Sequence, residues 1–99
     1  MSMPSERDRL LAKLRDPDHV VRMFAAYALG DLGEGQQHPD IGGWTVWSGH
    51  GYLRVGWKAH TFAYWIEHAE EIYLRRGCHG LSDQTRALAQ KLLAEQESA

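Results

Sequence analysis

The sequence predicts an α+β, mostly helical domain, and three observations predict it. Apolar residues recur at helical spacing near the front of the chain. The stretch "WTVWSGHGYLRVGW", residues 44–57, alternates as paired strands do, and helical spacing returns from residue 58 onward. These give one domain over 1–99: a helical hairpin (5–33), a loop (34–43), a β-hairpin (44–57) and two helices (58–97). A chain of 99 residues can bury a working core without disulfide or metal staples.

In the front segment Ser5 is placed to cap a first helix, with Asp8 three residues on and Leu10, Leu11 and Leu14 as its apolar stripe. Asp16-Pro17 stops that helix, because the residue before proline is pushed out of the α region. The same pair starts the next one, with Asp16 as N-cap and Pro17 at the first helical position. Val21, Phe24, Ala25, Ala28, Leu29 and Leu32 then form a continuous stripe expected to face the core, and Gly33 fits a left-handed C-cap. Phe24 is the largest of these, and its loss to Ala is expected to cost about 3–5 kcal/mol.

The run "LLAKLRDPDHVVRMFAAYALGDLG" resembles a HEAT-type helical repeat over residues 10–35: a first helix, Asp-Pro-Asp, Val-Arg, a small-residue segment, then Leu-Gly-x-Leu-Gly. The resemblance implies that Asp16 and Arg22 are structural, tying turns together. It also implies that Ala25, Ala26 and Ala28 allow close helix packing. One copy is present, whereas such solenoids need about three or more repeats to bury a continuous core. A lone unit must therefore pack on the rest of its own chain, on a second copy or on a partner.

"GEGQQHPDIGG", 33–43, is dense in glycine and polar residues and reads as a loop. A two-residue turn at Gly49-His50 then pairs Trp47 with Tyr52, Val46 with Leu53, Thr45 with Arg54 and Trp44 with Val55. Alternation puts Trp44, Val46, Leu53 and Val55 on one face and Thr45, Trp47, Tyr52 and Arg54 on the other. The aliphatic face should lie on the helices, since an isolated hairpin is marginal in water. Trp44 and Trp57 read as core. Trp47 and Tyr52 admit two readings, a buried cross-strand aromatic pair or an exposed contact surface with Arg54.

The segment "GYLRVGWKAHTFAYW", 51–65, is similar to the stretch preceding the catalytic core of phage-type HNH endonucleases, with His60 at the family's Ala-His position. The paired Asp/His-His signature and the later Asn and His do not follow it, so the residues for phosphodiester hydrolysis are missing. From 58 to 76 the spacing is helical, with Phe62, Ile66, Ala69 and Tyr73 as a stripe widened by Trp65 and Ile72. Arg75 and Arg76 suit its C-terminal end, and Gly77 can terminate it. Ser82 then caps a last helix turning Thr85, Leu88, Ala89, Leu92 and Leu93 inward, with "EQESA" fraying.

His60, Tyr64, His68 and Glu71 would share one helical face, but a metal site needs three or four convergent ligands, which leaves a metal-dependent hydrolase as a remote alternative. Cys78-His79 reads as loop rather than nucleophile and base. A net charge of −2 argues against a broad grip on nucleic acid or anionic membrane. The single cysteine, the polar start and the lack of a long apolar run point to a cytoplasmic protein without a membrane span.

The function expected is a non-enzymatic protein-interaction module, a small adaptor, inhibitor or regulator of the sort phages and mobile elements encode. It would use no cofactor, no metal and no catalytic residue. It would bind another protein, or a second copy of itself, through Trp47, Tyr52, Arg54 and His50. The alternative is nucleic-acid binding, with Arg54, Lys58, Arg75 and Arg76 on phosphates and Trp47 and Tyr52 stacking on bases.

Overall fold

A computed structural model describes residues 3–75 and 80–98. Ser5 opens α1 (Glu6–Lys13) by accepting the Asp8 amide at 3.1 Å, as the sequence predicts. The second helix, α2 (His19–Asp31), is capped by Asp18, whose carboxylate accepts the Val20 amide at 2.9 Å. Asp16, the predicted cap, lies two residues too early. It accepts the Asp18 amide at 2.8 Å and so orders the turn between the helices. At the far end the Glu34 amide donates to the Leu29 carbonyl and the Gly33 amide to that of Gly30, with Gly33 at a φ of 81°. This is a Schellman closure.

Four strands follow where the sequence predicts two: β1 (Gln36–Ile41), β2 (Trp44–Gly49), β3 (Tyr52–Val55) and β4 (Lys58–Thr61), antiparallel in the order β1-β2-β3-β4. The first occupies the predicted loop. Its residues are exposed except His38 and Ile41, and it carries Pro39 at a sheet edge, so it has almost no apolar pattern to read. The last replaces the predicted first turn of the third helix. There the Thr61 hydroxyl accepts the Tyr64 amide at 3.2 Å and starts α3 (Phe62–Arg75).

The β2–β3 turn is His50-Gly51, with φ of 54° and 84°. Two left-handed residues match the twist of antiparallel strands. The turn lies one residue later than predicted. Trp47 therefore faces Arg54 rather than Tyr52, and Val46 faces Val55. Each partner moves by two positions, which leaves both faces as the alternation assigns them.

Both faces are covered, which makes three layers. On one, Ile41, Val46, Leu53 and Val55 meet Phe62, Trp65, Ala69 and Tyr73 of α3 and Ala89 and Leu92 of α4 (Leu81–Ser98). On the other, Trp47 and Ala59 meet Leu10 and Leu14 of the first helical layer and Ala25, Ala26 and Leu29 of α2. Helix α4 begins one residue before Ser82, behind Gly80, and stays helical through Ser98, so the predicted capping and fraying are both corrected.

Three predicted core residues are on the surface. Phe24 is 64% exposed, Trp57 61% and Leu32, at the end of the same helical stripe, 49%. Helix α2 is rotated so that the alanines, not Phe24, meet the sheet, because small side chains let the helix axis come close. Trp57 sits in the β3–β4 turn instead of at a strand-to-helix passage. Trp44 is half-buried and stacks on Tyr73, with ring centroids 5.9 Å apart. The predicted helix end at Arg76 and Gly77 and the pair Cys78-His79 lie outside the described residues.

Candidate binding cleft between the second and third helices

The hairpin residues predicted to form an exposed contact surface are mostly interior. Trp47 is 2% exposed and Arg54 4% exposed. The reason is that the first helical layer closes over the mixed face, which the sequence leaves open. The Trp47 indole N–H donates to the Glu34 carbonyl at 2.9 Å. Its ring is walled by glycines. A Cβ at Gly35 would come within 2.7 Å of the indole, and one at Gly49 within 2.6 Å. Tyr52 is half-buried against the same helical layer. His50 lies at the surface, 2.9 Å from Glu34, whose carboxylate also takes Arg7 at 2.7 Å. The Arg7 hydrogen bond, with a smaller contribution from His50, holds the Glu34 carboxyl below the usual carboxylate range.

Arg54 lies beneath Tyr27, its guanidinium carbon 3.9 Å from the ring centroid. Its Nη1 donates to the Thr45 hydroxyl at 3.1 Å and to the Gly56 carbonyl at 2.7 Å, while Nε is buried with no partner. Burying a guanidinium without a carboxylate costs several kcal/mol. A ring face returns about 0.5–2 kcal/mol.

A larger recess lies elsewhere. A cleft of about 620 Å³ opens between the start of α2, the β3–β4 turn and α3. Arg22, Lys58 and Arg75 bring positive charge to its lining, and His19, Trp57, Tyr64 and His60 bring rings. Val20, Met23 and Ile72 supply apolar wall, and no Asp or Glu is among the described lining residues. A shallower recess of about 380 Å³ shares Arg22, His60 and Tyr64 and runs on to Tyr52 and Arg15.

Each element of the cleft has a local cause. Arg22 is fixed by three carbonyls: Nε donates to Ala59 at 2.9 Å, and Nη1 to Asp16 at 2.8 Å and Pro17 at 2.9 Å. It thereby ties the interhelical turn to the edge strand β4. His60 stacks on Tyr64 at a centroid distance of 4.2 Å, and the His68 ring meets Tyr64 tilted, at 4.3 Å. His60 projects from β4 rather than from the helix, so the predicted single helical face is in fact a strand residue stacked on a helix. Burial, reinforced by the charges of Arg22 and Lys58, pushes the His60 imidazole down to about 4. It is neutral near pH 7 and offers a flat ring, not a cation. Arg75 is paired with Glu71 at 3.0 Å, and His68 lies 3.3 Å from the same carboxylate.

This arrangement suits binding. Rings and aliphatic side chains give apolar area, and the cations give an anchor for negative charge. Among the described residues no group of three or more His, Cys, Asp or Glu is placed to hold a metal ion. Of the cations predicted to meet phosphates, Lys58 and Arg75 line the cleft, Arg54 is interior, and Arg76 lies outside the described residues. The cleft residues missed by sequence reasoning are His19, Arg22 and Trp57. The signal for Trp57 was Gly56 before it, since a tryptophan following a turn glycine belongs to the turn. No family model, no curated protein and no solved structure matches this chain. No helix among the described residues is long and apolar enough to cross a membrane.

Proposed function

We propose that this chain is a non-enzymatic interaction module that takes an acidic, apolar-bearing segment of a partner protein in the cleft between α2 and α3. One observation carries the reading. Lys58 and Arg75 line a cavity of about 620 Å³ whose described lining holds no carboxylate, beside a tryptophan that is 61% exposed. Val20 and Phe24, one turn apart on the outer face of α2, are also exposed and extend the apolar contact. Exposed aromatic and basic side chains around a recess are the composition of interface hot spots.

A protein segment fits better than nucleic acid. Val20, Met23, Ile72 and Trp57 stand beside the cations of the cleft, and an apolar-bearing acidic segment uses that wall where a phosphate backbone does not. The overall charge of −2 gives no long-range attraction to a polyanion.

Fluorescence anisotropy with labelled probes separates these readings. Peptides combining Glu or Asp with Phe or Leu are expected to bind, with modest weakening as salt rises. Lys58→Glu with Trp57→Ser should reduce that affinity at least tenfold while leaving the circular dichroism unchanged. A single-stranded oligonucleotide that binds with a steep salt dependence, in place of the peptides, would transfer the cleft to the nucleic-acid reading. No binding by either probe would contradict both.

A further inference from the structure

The outer face of α2 carries apolar surface well beyond the mouth of the cleft. Val20, Phe24, Tyr27 and Asp31 recur at helical spacing, so they form one row turned away from the sheet, and all four are exposed. Trp57 flanks the row from the β3–β4 turn, where the Tyr27 hydroxyl donates to the Gly56 carbonyl at 3.4 Å. One face of the Tyr27 ring lies on the Arg54 guanidinium, which fixes the ring in place.

The two ends of the row differ in charge. Lys58 and Arg75 stand with Val20 in the lining of the cleft. The carboxylates near that end are engaged within the chain: Asp16 and Asp18 accept backbone amides, and Glu71 takes Arg75. Asp31 closes the other end. With Tyr27 and Arg54 it borders a recess of about 220 Å³, yet it enters no ion pair among the described residues. Arg54 donates its Nη1 to Thr45 and Gly56 instead.

A row that is basic at one end and acidic at the other, with rings between, is complementary to itself turned end for end. We propose that two copies of this chain dimerise through α2, antiparallel about a two-fold axis, with Asp31 of each copy at the basic mouth of the other's cleft. The dimer rests on the reading of the cleft as an acceptor for an acidic, apolar-bearing segment, and it identifies that segment as the second half of α2. An axis passing between Phe24 and Tyr27 sets Phe24 opposite Tyr27 of the second copy, and Val20 opposite Asp31. A closed contact of this kind repeats each pair twice. It also brings each Asp31 to the positive end of the other helix.

The area is sufficient for a reversible contact. Phe24, Tyr27, Trp57 and Val20 are 64%, 42%, 61% and 41% exposed, which amounts to about 400 Å² of apolar surface per copy. At the usual apolar share of an interface, about 60%, the two copies bury roughly 1,300 Å² in all. That lies at the low end of specific interfaces and suits a Kd on the order of 10–100 μM.

Sedimentation velocity of the whole chain from about 5 μM to about 1 mM tests this, with a shift from monomer to dimer expected across the range. Asp31→Lys and Lys58→Glu each set like charges against each other and should weaken self-association at least tenfold, with circular dichroism unchanged. Phe24→Ser, at an exposed position, should weaken it as much. An equimolar mixture of Asp31→Lys and Lys58→Glu should recover the dimer, because the mixed pair matches opposite charges at both ends. A chain that stays monomeric throughout overturns the dimer, and acidic peptides binding that monomer would leave the cleft reading standing without it. Self-association untouched by Asp31→Lys, or no recovery in the mixture, overturns it as well. Recovery in the mixture while no free peptide binds would uphold the dimer and confine the cleft to it.

Discussion

The two sides of the sheet are closed by different means. On the side of α3 and α4, large rings fill the space, and the polar atoms of Trp65 and Tyr73 both have partners. The Trp65 indole donates to the Leu53 carbonyl at 2.7 Å, and the Tyr73 hydroxyl meets that of Thr85 at 2.6 Å. On the side of α1 and α2, alanines bring the helix near, Trp47 is the one large buried ring among the described residues, and Arg54 is buried on the same face. The three cavities described above are all lined in part by α2 or the turn leading into it. Size fills one side, and close approach closes the other. Close approach of small residues leaves recesses at its margins, and the recesses are where ligands fit.

The largest expected effect breaks the tight side. Trp65→Ala should cost about 3–5 kcal/mol in urea unfolding. Trp47→Ala should cost about 1 kcal/mol less, because the adjoining cavity lets the site collapse further. Equal losses would erase the distinction between the sides.

A smaller effect concerns His60 at the edge they share. Its folded pKa, about 4, lies below its unfolded value near 6.5. The unfolded chain therefore takes up the proton first, and stability falls as pH drops from about 6.5 to 4, then levels. Discounted for partial exposure, the loss is about 1–2 kcal/mol relative to His60→Phe, which keeps a ring on Tyr64. Parallel pH profiles for the two proteins would count against burial of His60.

The smallest effect is at Phe24. Its replacement by Ala should change stability by less than about 0.5 kcal/mol, since the ring is 64% exposed. The sequence alone points to a cavity-sized loss there. A loss of several kcal/mol would restore Phe24 to the core and undo the rotation of α2.

That rotation marks the limit of what could be read from the chain. The 3.6-residue period located both front helices, Ser5 and Gly33 marked their ends, and the stripe of α3 held from Phe62 to Tyr73. The angle of α2 was hidden because alanines, the residues that approach the sheet, carry little hydrophobic signal beside a phenylalanine. Strand β1 was hidden because an edge strand exposed nearly throughout has no alternation, and β4 because four residues leading into a helix share its composition. The alternation of β2 and β3 survived a misplaced turn, since a two-position change of partner preserves the faces. Alternation sorts residues between faces but does not say whether a face is covered. That is why Trp47 and Arg54 could be placed on one face while burial and exposure of that face both stayed open. The cleft was less legible still, because His19, Arg22, Trp57 and Tyr64 meet only through the packing of α2 on β4.

The claim beneath all of this is that the first helical layer seals the mixed face of the sheet. Hydrogen exchange at the Trp47 indole N–H, read by NMR, tests it most directly. With that proton held on the Glu34 carbonyl and the ring 2% exposed, exchange should be slowed by several orders of magnitude relative to free indole. Exchange at the free-indole rate in the folded protein would mean that the helices do not cover this face, and the cleft and the recesses beside α2 would lose their walls.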